Sequence, residues 1–319
     1  MEKTVGSFFC GVGGIDWAFS KTSNWQIVFA NDFNRYSKIT YDLNFPECPM
    51  VLGDINDIKI DTMPNFAFLI GGFPCQAFSV AGEQQGFNDS KGRGKLIYRI
   101  VEILKVKKPK GFLLENVSNL VTHDGGSTFT TIQNILKESG YYVDFAVLNA
   151  SKFGNVPQNR NRVYIIGFKS LTRFQKFRWP KALKRVCDVA DAIDIKGDVD
   201  AHYYYTEEKY PKVMERFSSV PHVIGQVYQY RRNSIRLNKS SLVPTLTANM
   251  GLGGHNVPLI FTENGLRKIT PRECFRLQGF PEEYLLPEEL AENHLYQQAG
   301  NSVCVKVIER IVEQIDKVF

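Results

Sequence analysis

Six short runs of apolar, β-branched or aromatic residues mark the first half of the chain. They read VGSFF, WQIVFA, FAFLIGG, GFLLENV, YYVDFAVL and RVYIIGF, and glycine, proline or asparagine bounds them. Runs of this length and composition predict strands. Helical spacings lie between several of them: Leu96, Ile100, Ile103 and Leu104 share one face of KLIYRIVEILKV, and Phe129, Ile132 and Leu136 share one face of FTTIQNILKESG. Strand alternating with helix predicts an α/β fold, a mostly parallel Rossmann-like sheet with helices on both faces. Ligands of such sheets bind beyond the carboxyl ends of the strands. After about Lys169 the periodicity degrades into irregular, basic, aromatic and Gly-rich sequence, which predicts a smaller domain of loops and short strands. The last stretch, VCVKVIERIVEQIDKVF, restores a helical stripe through Val303, Val307, Ile308, Ile311, Ile315 and Val318. The expected organisation is a first domain over 1–172, a second over 173–285, and a return segment over 286–319 whose helix packs on the first.

Composition narrows the class. With 319 residues, 43% of them hydrophobic, the chain can bury one large core or two smaller ones. The first residues form neither a signal peptide nor a membrane span, and no low-complexity tract occurs. The six cysteines show no CxxC pair and no His/Cys cluster at zinc spacing. We therefore expect a cytoplasmic protein with reduced thiols, no membrane association and no metal. Net charge is +6, and its placement is uneven: Arg173 to Phe275 holds 17 Lys+Arg against 10 Asp+Glu, the remainder 22 against 23. The excess suits a polyanionic partner for the second domain.

The segment SFFCGVGGIDWAF reads as strand, Gly-rich turn and helix start. Gly11, Gly13 and Gly14 remove side chains where the backbone turns tightly, but their spacing is not GxGxxG, so a pyrophosphate cradle is not the natural reading. Asp32 follows the second strand and Asp54 the third. A carboxylate at such a strand end can accept both hydroxyls of a ribose. For the turn alone, a plain strand–helix connection is an equal reading; acids on successive strand ends favour a site. Two acids without a basic phosphate clamp suit a nucleoside lacking phosphates, and S-adenosyl-L-methionine is such a ligand.

GGFPCQAFS, residues 71–79, puts Cys75 directly after a proline where a strand ends. A thiolate there is a nucleophile. Glu115 ends the next strand after four apolar positions, and burial there would raise its pKa and let it carry a proton near neutrality. VPQNRNRVYIIG then brings Gln158, Arg160 and Arg162; alternate residues on an extended chain share a face, so both guanidinium groups are expected in one pocket. Thiolate, protonatable carboxyl and paired arginines facing a methyl donor fit methylation of cytosine at carbon 5. Addition of Cys75 to carbon 6 with protonation at nitrogen 3 makes carbon 5 nucleophilic. A base within a duplex must be flipped out for this chemistry.

In these residues the chain resembles the bacterial DNA (cytosine-5)-methyltransferases of the restriction–modification type. The resemblance rests on Phe9 to Gly14, Pro74-Cys75-Gln76, Glu115-Asn116-Val117, Gln158 with Arg160 and Arg162, RKITPRECFRLQGFP at 267–281, and Gln298 to Val303, all in the family's order. It implies Cys75 as nucleophile, Glu115 as the contact to the flipped cytosine, and Arg162 with Arg160 on its carbonyl side. It also implies Phe9 stacked on the adenine of S-adenosyl-L-methionine, Asp32 on the ribose, Phe33 as an aromatic contact, and Asp54 and Ile55 lining the adenine. Pro74, Leu96, Asn301 and Ser302 would complete that pocket. The chain departs from the family's usual pattern in Cys10, where alanine or serine is common, and in Asp32, where glutamate is frequent.

Residues 79–95 correspond to a mobile loop that would close over the flipped base, with Gln84 or Gln85 filling the vacated space. The basic segment between Arg173 and Arg267 falls where the family keeps its target-recognition domain. There Gln229, Tyr230, Arg231, Arg232 and Arg236 are candidates for base edges and phosphates, and Thr245-Leu246 matches a pair that anchors the DNA backbone. The implied partner is double-stranded DNA, the enzyme is expected to be a monomer, and a companion restriction endonuclease would act separately. A transfer-RNA branch of the family is disfavoured here by the recognition segment of roughly a hundred residues and the lack of a CFT signature.

Overall fold

The first four apolar runs form parallel strands buried on both faces, with little polar alternation to signal a solvent side. The computed structural model describes residues 3–74, 96–184, 187–231, 234–238, 240–252 and 256–319. Its main sheet contains β1 (Thr4–Phe8), β2 (Gln26–Asp32), β3 (Val51–Leu52), β4 (Phe68–Gly72), β5 (Gly111–Val117), β6 (Tyr142–Asn149) and β8 (Asn161–Phe168). Among the described residues the order is β3-β2-β1-β4-β5-β8-β6. All neighbours run parallel except β8, which is antiparallel to both β5 and β6. The register sets Gly72 opposite Glu115 and Val117 opposite Arg162. The carboxyl ends of β1, β2, β4 and β5 therefore share one edge, and the candidate residues of these strands lie there.

Helices α1 (Gly14–Ser23), α2 (Arg35–Asn44), α3 (Leu96–Lys107) and α4 (Ser127–Glu138) connect these strands. The expected helical faces are the buried ones: Ile100, Ile103 and Leu104 of α3 and Phe129, Ile132 and Leu136 of α4 pack with Phe8, Leu69, Phe112, Leu114 and Ile165. Shorter helices α5 (Ala150–Gly154) and α6 (Leu171–Lys176) flank β8 in sequence.

The chain divides into two compact units, one of 1–149, 161–181 and 307–319, the other of 150–160 and 182–306. The second contains β7 (Gln158–Asn159), paired in parallel with β11 (Val243–Pro244), and an antiparallel sheet of β9 (Val227–Arg231), β10 (Ser234–Leu237), β12 (Leu259–Thr262) and β13 (Gly265–Lys268). Helices α7 (Pro211–Phe217), α8 (Pro271–Leu277) and α9 (Glu292–Asn301) complete it, with a core of Val213, Phe217, Tyr228, Leu259 and Leu266. These bounds differ from a division at 172 and 285 because β7 pairs with β11 rather than continuing into β8.

The last helix, α10 (Val305–Asp316), buries Val307, Ile308, Ile311 and Ile315 completely. Its end is fixed within the first unit by Asp316, which accepts from Trp25 Nε1 at 2.9 Å and pairs with Lys3 at 3.0 Å. Among the described residues no helix is long and apolar enough to cross a membrane.

Candidate active site

The turn after β1 holds three left-handed residues in five: Phe9 (φ 53°), Gly11 (55°) and Gly13 (77°). The two glycines serve different ends. A Cβ on Gly13 would lie 2.4 Å from the Phe45 ring, whereas one on Gly11 would meet nothing within 4 Å. Gly13 thus allows close packing, and Gly11 leaves open space above the turn; Gly14 begins α1. Phe9 bears a side chain in a conformation that costs of order 1 kcal/mol, the kind of outlier that clusters at ligand sites.

Asp32 closes the turn from β2. Its Oδ2 accepts from Gly11 N and its Oδ1 from Asn34 N, both at 2.9 Å, and it is only 8% exposed. Burial pushes its pKa up, against the pull of backbone N–H groups of Asn34, Gly11 and Phe33. A carboxylate offers about four acceptor positions, so one remains beyond these three backbone donors. Phe33, next in sequence, is 69% exposed, so its ring is available to stack. Asp54 is exposed and caps its own turn, accepting from Asn56 N and Nδ2, while Ile55 is buried in the core. Any contact of Ile55 with a ligand is therefore limited to its edge of that core. Leu96 opens α3 and packs, half-buried, on the same cluster.

Sequence reasoning missed the support beneath this turn. Asp16, in the first turn of α1, is fully buried and accepts from Ser7 Oγ and Tyr41 Oη, each at 2.9 Å. A carboxylate inside GIDWAF was the available signal. Burial raises its pKa from 3.8 to about 6, opposed by those hydroxyls. The folded state therefore binds this proton more tightly than the unfolded chain. The resulting stabilisation is complete below pH 3.8 and is lost as pH rises through about 6. It amounts to about 3 kcal/mol. Urea unfolding between pH 4 and 7 should show this decline in the wild type and a flatter profile in Asp16→Asn; parallel profiles would refute the assignment.

At the neighbouring strand ends, Glu115 is 8% exposed and its Oε1 lies 3.1 Å from Arg162 Nε. A Cβ on Gly72, opposite it, would come within 3.5 Å of Glu115 Oε2. Asn116 donates from Nδ2 to Phe73 O at 3.2 Å, holding the exit of β4 against β5 just before Pro74. Cys75 lies outside the described residues, as do residues 79–95 with Gln84 and Gln85, and Arg232.

Arg160 departs from the expected shared pocket. It is 2% exposed, and its guanidinium donates from Nη1 to Leu246 O (2.9 Å) and from Nη2 to Gly300 O (3.2 Å) and Ser302 O (2.5 Å). The alternation rule fails because β7 ends at Asn159 and β8 begins at Asn161, leaving Arg160 in the break and in the second unit. Of the two arginines, Arg162 is the one paired with Glu115. Gln158 is likewise committed inward, donating to Leu277 O at 2.8 Å.

In the second unit, the pairing of β9 with β10 sorts the recognition candidates. Gln229 lies opposite Arg236, with exposed Arg231 two residues on, on one face. Tyr230 takes the other face: it is 6% exposed, packs in the core, and its hydroxyl accepts a hydrogen bond from Arg216 Nη1. It is a core residue rather than a surface one. Thr245 donates to Asn159 O at 2.6 Å, and the Leu246 side chain is buried. Asn301, exposed, ends α9, and Ser302 follows it.

Comparison with known proteins agrees with this architecture. The family model for C-5 cytosine-specific DNA methylase matches residues 3–317. Type II methyltransferase M.Bsp6I of Bacillus sp. (strain RFL6) is 46% identical over 316 residues, covering 98% of each chain. Type II methyltransferase M.SsoII of Shigella sonnei is 38% identical over 309 residues, covering 96% of this chain and 78% of its own. Among solved structures, the Entamoeba histolytica methyltransferase EhMeth superposes with a TM-score of 0.74 at 19% identity, covering 99% of this chain and 98% of that one. A Spodoptera frugiperda DNMT2 mutant gives 0.73 at 22%, covering 99% and 100%. At these identities the structural likeness concerns the fold.

The mostly parallel sheet is that of an α/β methyltransferase, and the family that the chain matches uses S-adenosyl-L-methionine. The chain belongs to the C-5 cytosine-specific DNA methylases, and its activity is that of a DNA (cytosine-5-)-methyltransferase. The residues at the turn are compatible with that cofactor: open space over Gly11, an acceptor position left on Asp32 and an exposed Phe33 ring suit a nucleoside's sugar edge and base.

Proposed function

We propose that Cys75 adds to carbon 6 of a cytosine flipped out of duplex DNA while Glu115 delivers a proton to nitrogen 3. The S–C6 bond forms as the C5–C6 double bond shifts toward the ring nitrogen, leaving carbon 5 electron-rich. S-adenosyl-L-methionine, when bound, supplies an electrophilic methyl group on a sulfonium. After methylation the carbon 5 proton leaves to solvent, the S–C6 bond breaks, and nitrogen 3 returns its proton to Glu115. Arg162 turns its remaining N–H groups to the base's carbonyl oxygen, where negative charge develops. The observation that supports this reading is the ion pair of buried Glu115 with half-buried Arg162, beside the end of the strand that precedes Pro74 and Cys75.

Phe9, Gly11, Asp32 and Phe33 would hold the nucleoside, with Gly13 and Gly14 shaping the turn and Asp54, Ile55, Pro74 and Leu96 around it; the family resemblance adds Asn301 and Ser302 as cofactor contacts. The second unit would read the target: Gln229, Arg231 and Arg236 share one face of its antiparallel sheet, and Thr245 lies beside β7. A restriction–modification setting fits the relatives named Type II methyltransferases; in this reading the enzyme is a monomer of the bacterial cytoplasm and its endonuclease acts separately.

A duplex carrying 5-fluorocytosine at the methylated position tests the covalent step. Bisulfite sequencing of DNA treated with the enzyme first locates that position. With S-adenosyl-L-methionine present, one denaturation-resistant protein–DNA adduct per duplex is expected, because fluorine cannot leave as the proton does. A site that is methylated as cytosine yet gives no adduct as 5-fluorocytosine would contradict the mechanism.

A further inference from the structure

The Arg160 guanidinium touches two segments to which the proposed function gives separate ligands. On one side, both backbone groups of Leu246 are held: its N–H donates to Gln158 Oε1 at 3.2 Å, and its carbonyl accepts from Arg160 Nη1 at 2.9 Å. On the other side, Arg160 Nη2 reaches Gly300 O and Ser302 O. A second bridge runs parallel to the first, since Gln158 Nε2 donates to Gln278 Oε1 at 3.3 Å and Gln278 Nε2 donates to Ala299 O at 2.7 Å. The two segments also touch directly: a Cβ on Gly300 would sit 2.2 Å from Thr247 O and 2.3 Å from its carbonyl carbon. Only glycine permits that approach. A planar guanidinium holding three carbonyls has little freedom to follow one and release another.

We infer that Arg160 is a positioning residue that couples the Thr245–Leu246 loop to the end of α9 at Gly300–Ser302, so that DNA bound at the first and cofactor bound at the second raise each other's affinity. This rests on the reading that Thr245 contacts DNA and that Asn301 and Ser302 contact the nucleoside. Binding linkage makes the effect reciprocal, and coupling between two sites is commonly about 5- to 150-fold. A lysine at 160 keeps the charge but presents one compact ammonium, which cannot span carbonyls on both segments.

The experiment measures DNA affinity by fluorescence anisotropy with and without saturating S-adenosylhomocysteine. The wild type should bind DNA about 10-fold more tightly with S-adenosylhomocysteine, and Arg160→Lys less than about 3-fold more tightly. A wild-type factor near one, or an unchanged factor in Arg160→Lys, would overturn the coupling. A second readout needs no variant: in the wild type, S-adenosylhomocysteine alone should slow hydrogen exchange of the 245–248 amides, and unchanged exchange would equally overturn it. Thr245→Val separates the inference from its premise. If that variant binds DNA normally while Arg160→Lys still loses coupling, the DNA contact at Thr245 fails and the coupling stands.

Discussion

Cys75→Ser should lose methyl transfer by at least about 10⁴-fold while retaining cofactor binding, because a hydroxyl is almost wholly protonated where a thiol is partly ionised. The residue follows Pro74, at the end of a strand whose exit is held by the Asn116 amide on Phe73 O. Adding the thiolate to carbon 6 is the only step that makes carbon 5 nucleophilic, so no other group can replace it partially. Serine differs from cysteine by one atom. In the proposed site the nucleoside would be held by the turn after β1 and by Asp32, on different strands, so calorimetric titration with S-adenosylhomocysteine should give an affinity within about twofold of wild type. The 5-fluorocytosine adduct should vanish in parallel. Turnover within tenfold of wild type would remove Cys75 from the reaction.

The strands were readable because their signal is local. Burial on both faces of a parallel sheet forces continuous apolar runs, and FLIGG and GFLLENV show them directly. The acids at strand ends were readable for the same reason: Asp32 and Glu115 interrupt runs that otherwise exclude charge. What escaped depends on pairing between distant segments. Arg160 and Arg162 are two residues apart in an apparently extended stretch, yet a strand break sends one to Leu246, Gly300 and Ser302 and the other to Glu115. The face of β9 that Tyr230 occupies follows from its register with Ile235, which the pattern QVYQYRRNSIR does not reveal. The Asp16 network joins β1, α1 and α2, so no single window contains it.

The same geometry sets a second large effect, on Glu115 and Arg162. Glu115→Gln keeps the shape of the side chain and its reach to nitrogen 3, but the amide cannot transfer a proton. Loss of a positioned general acid costs about 10²–10⁴ in rate. The fall should appear in kcat, since the amide still forms a hydrogen bond to the bound base. Arg162→Ala removes the 3.1 Å ion pair within the first unit and leaves the carboxylate with less support. Breaking one partner of a buried pair leaves the other desolvated, so this variant should also lose stability, by about 3 kcal/mol. The two residues act as one unit, and the double variant Glu115→Gln/Arg162→Ala should therefore be no slower than about tenfold below the worse single variant. Single-turnover rates on a short duplex measure all three. Multiplicative losses would mean that the carboxyl and the guanidinium serve separate steps, and Glu115→Gln at near wild-type kcat would remove the proton donor from the mechanism.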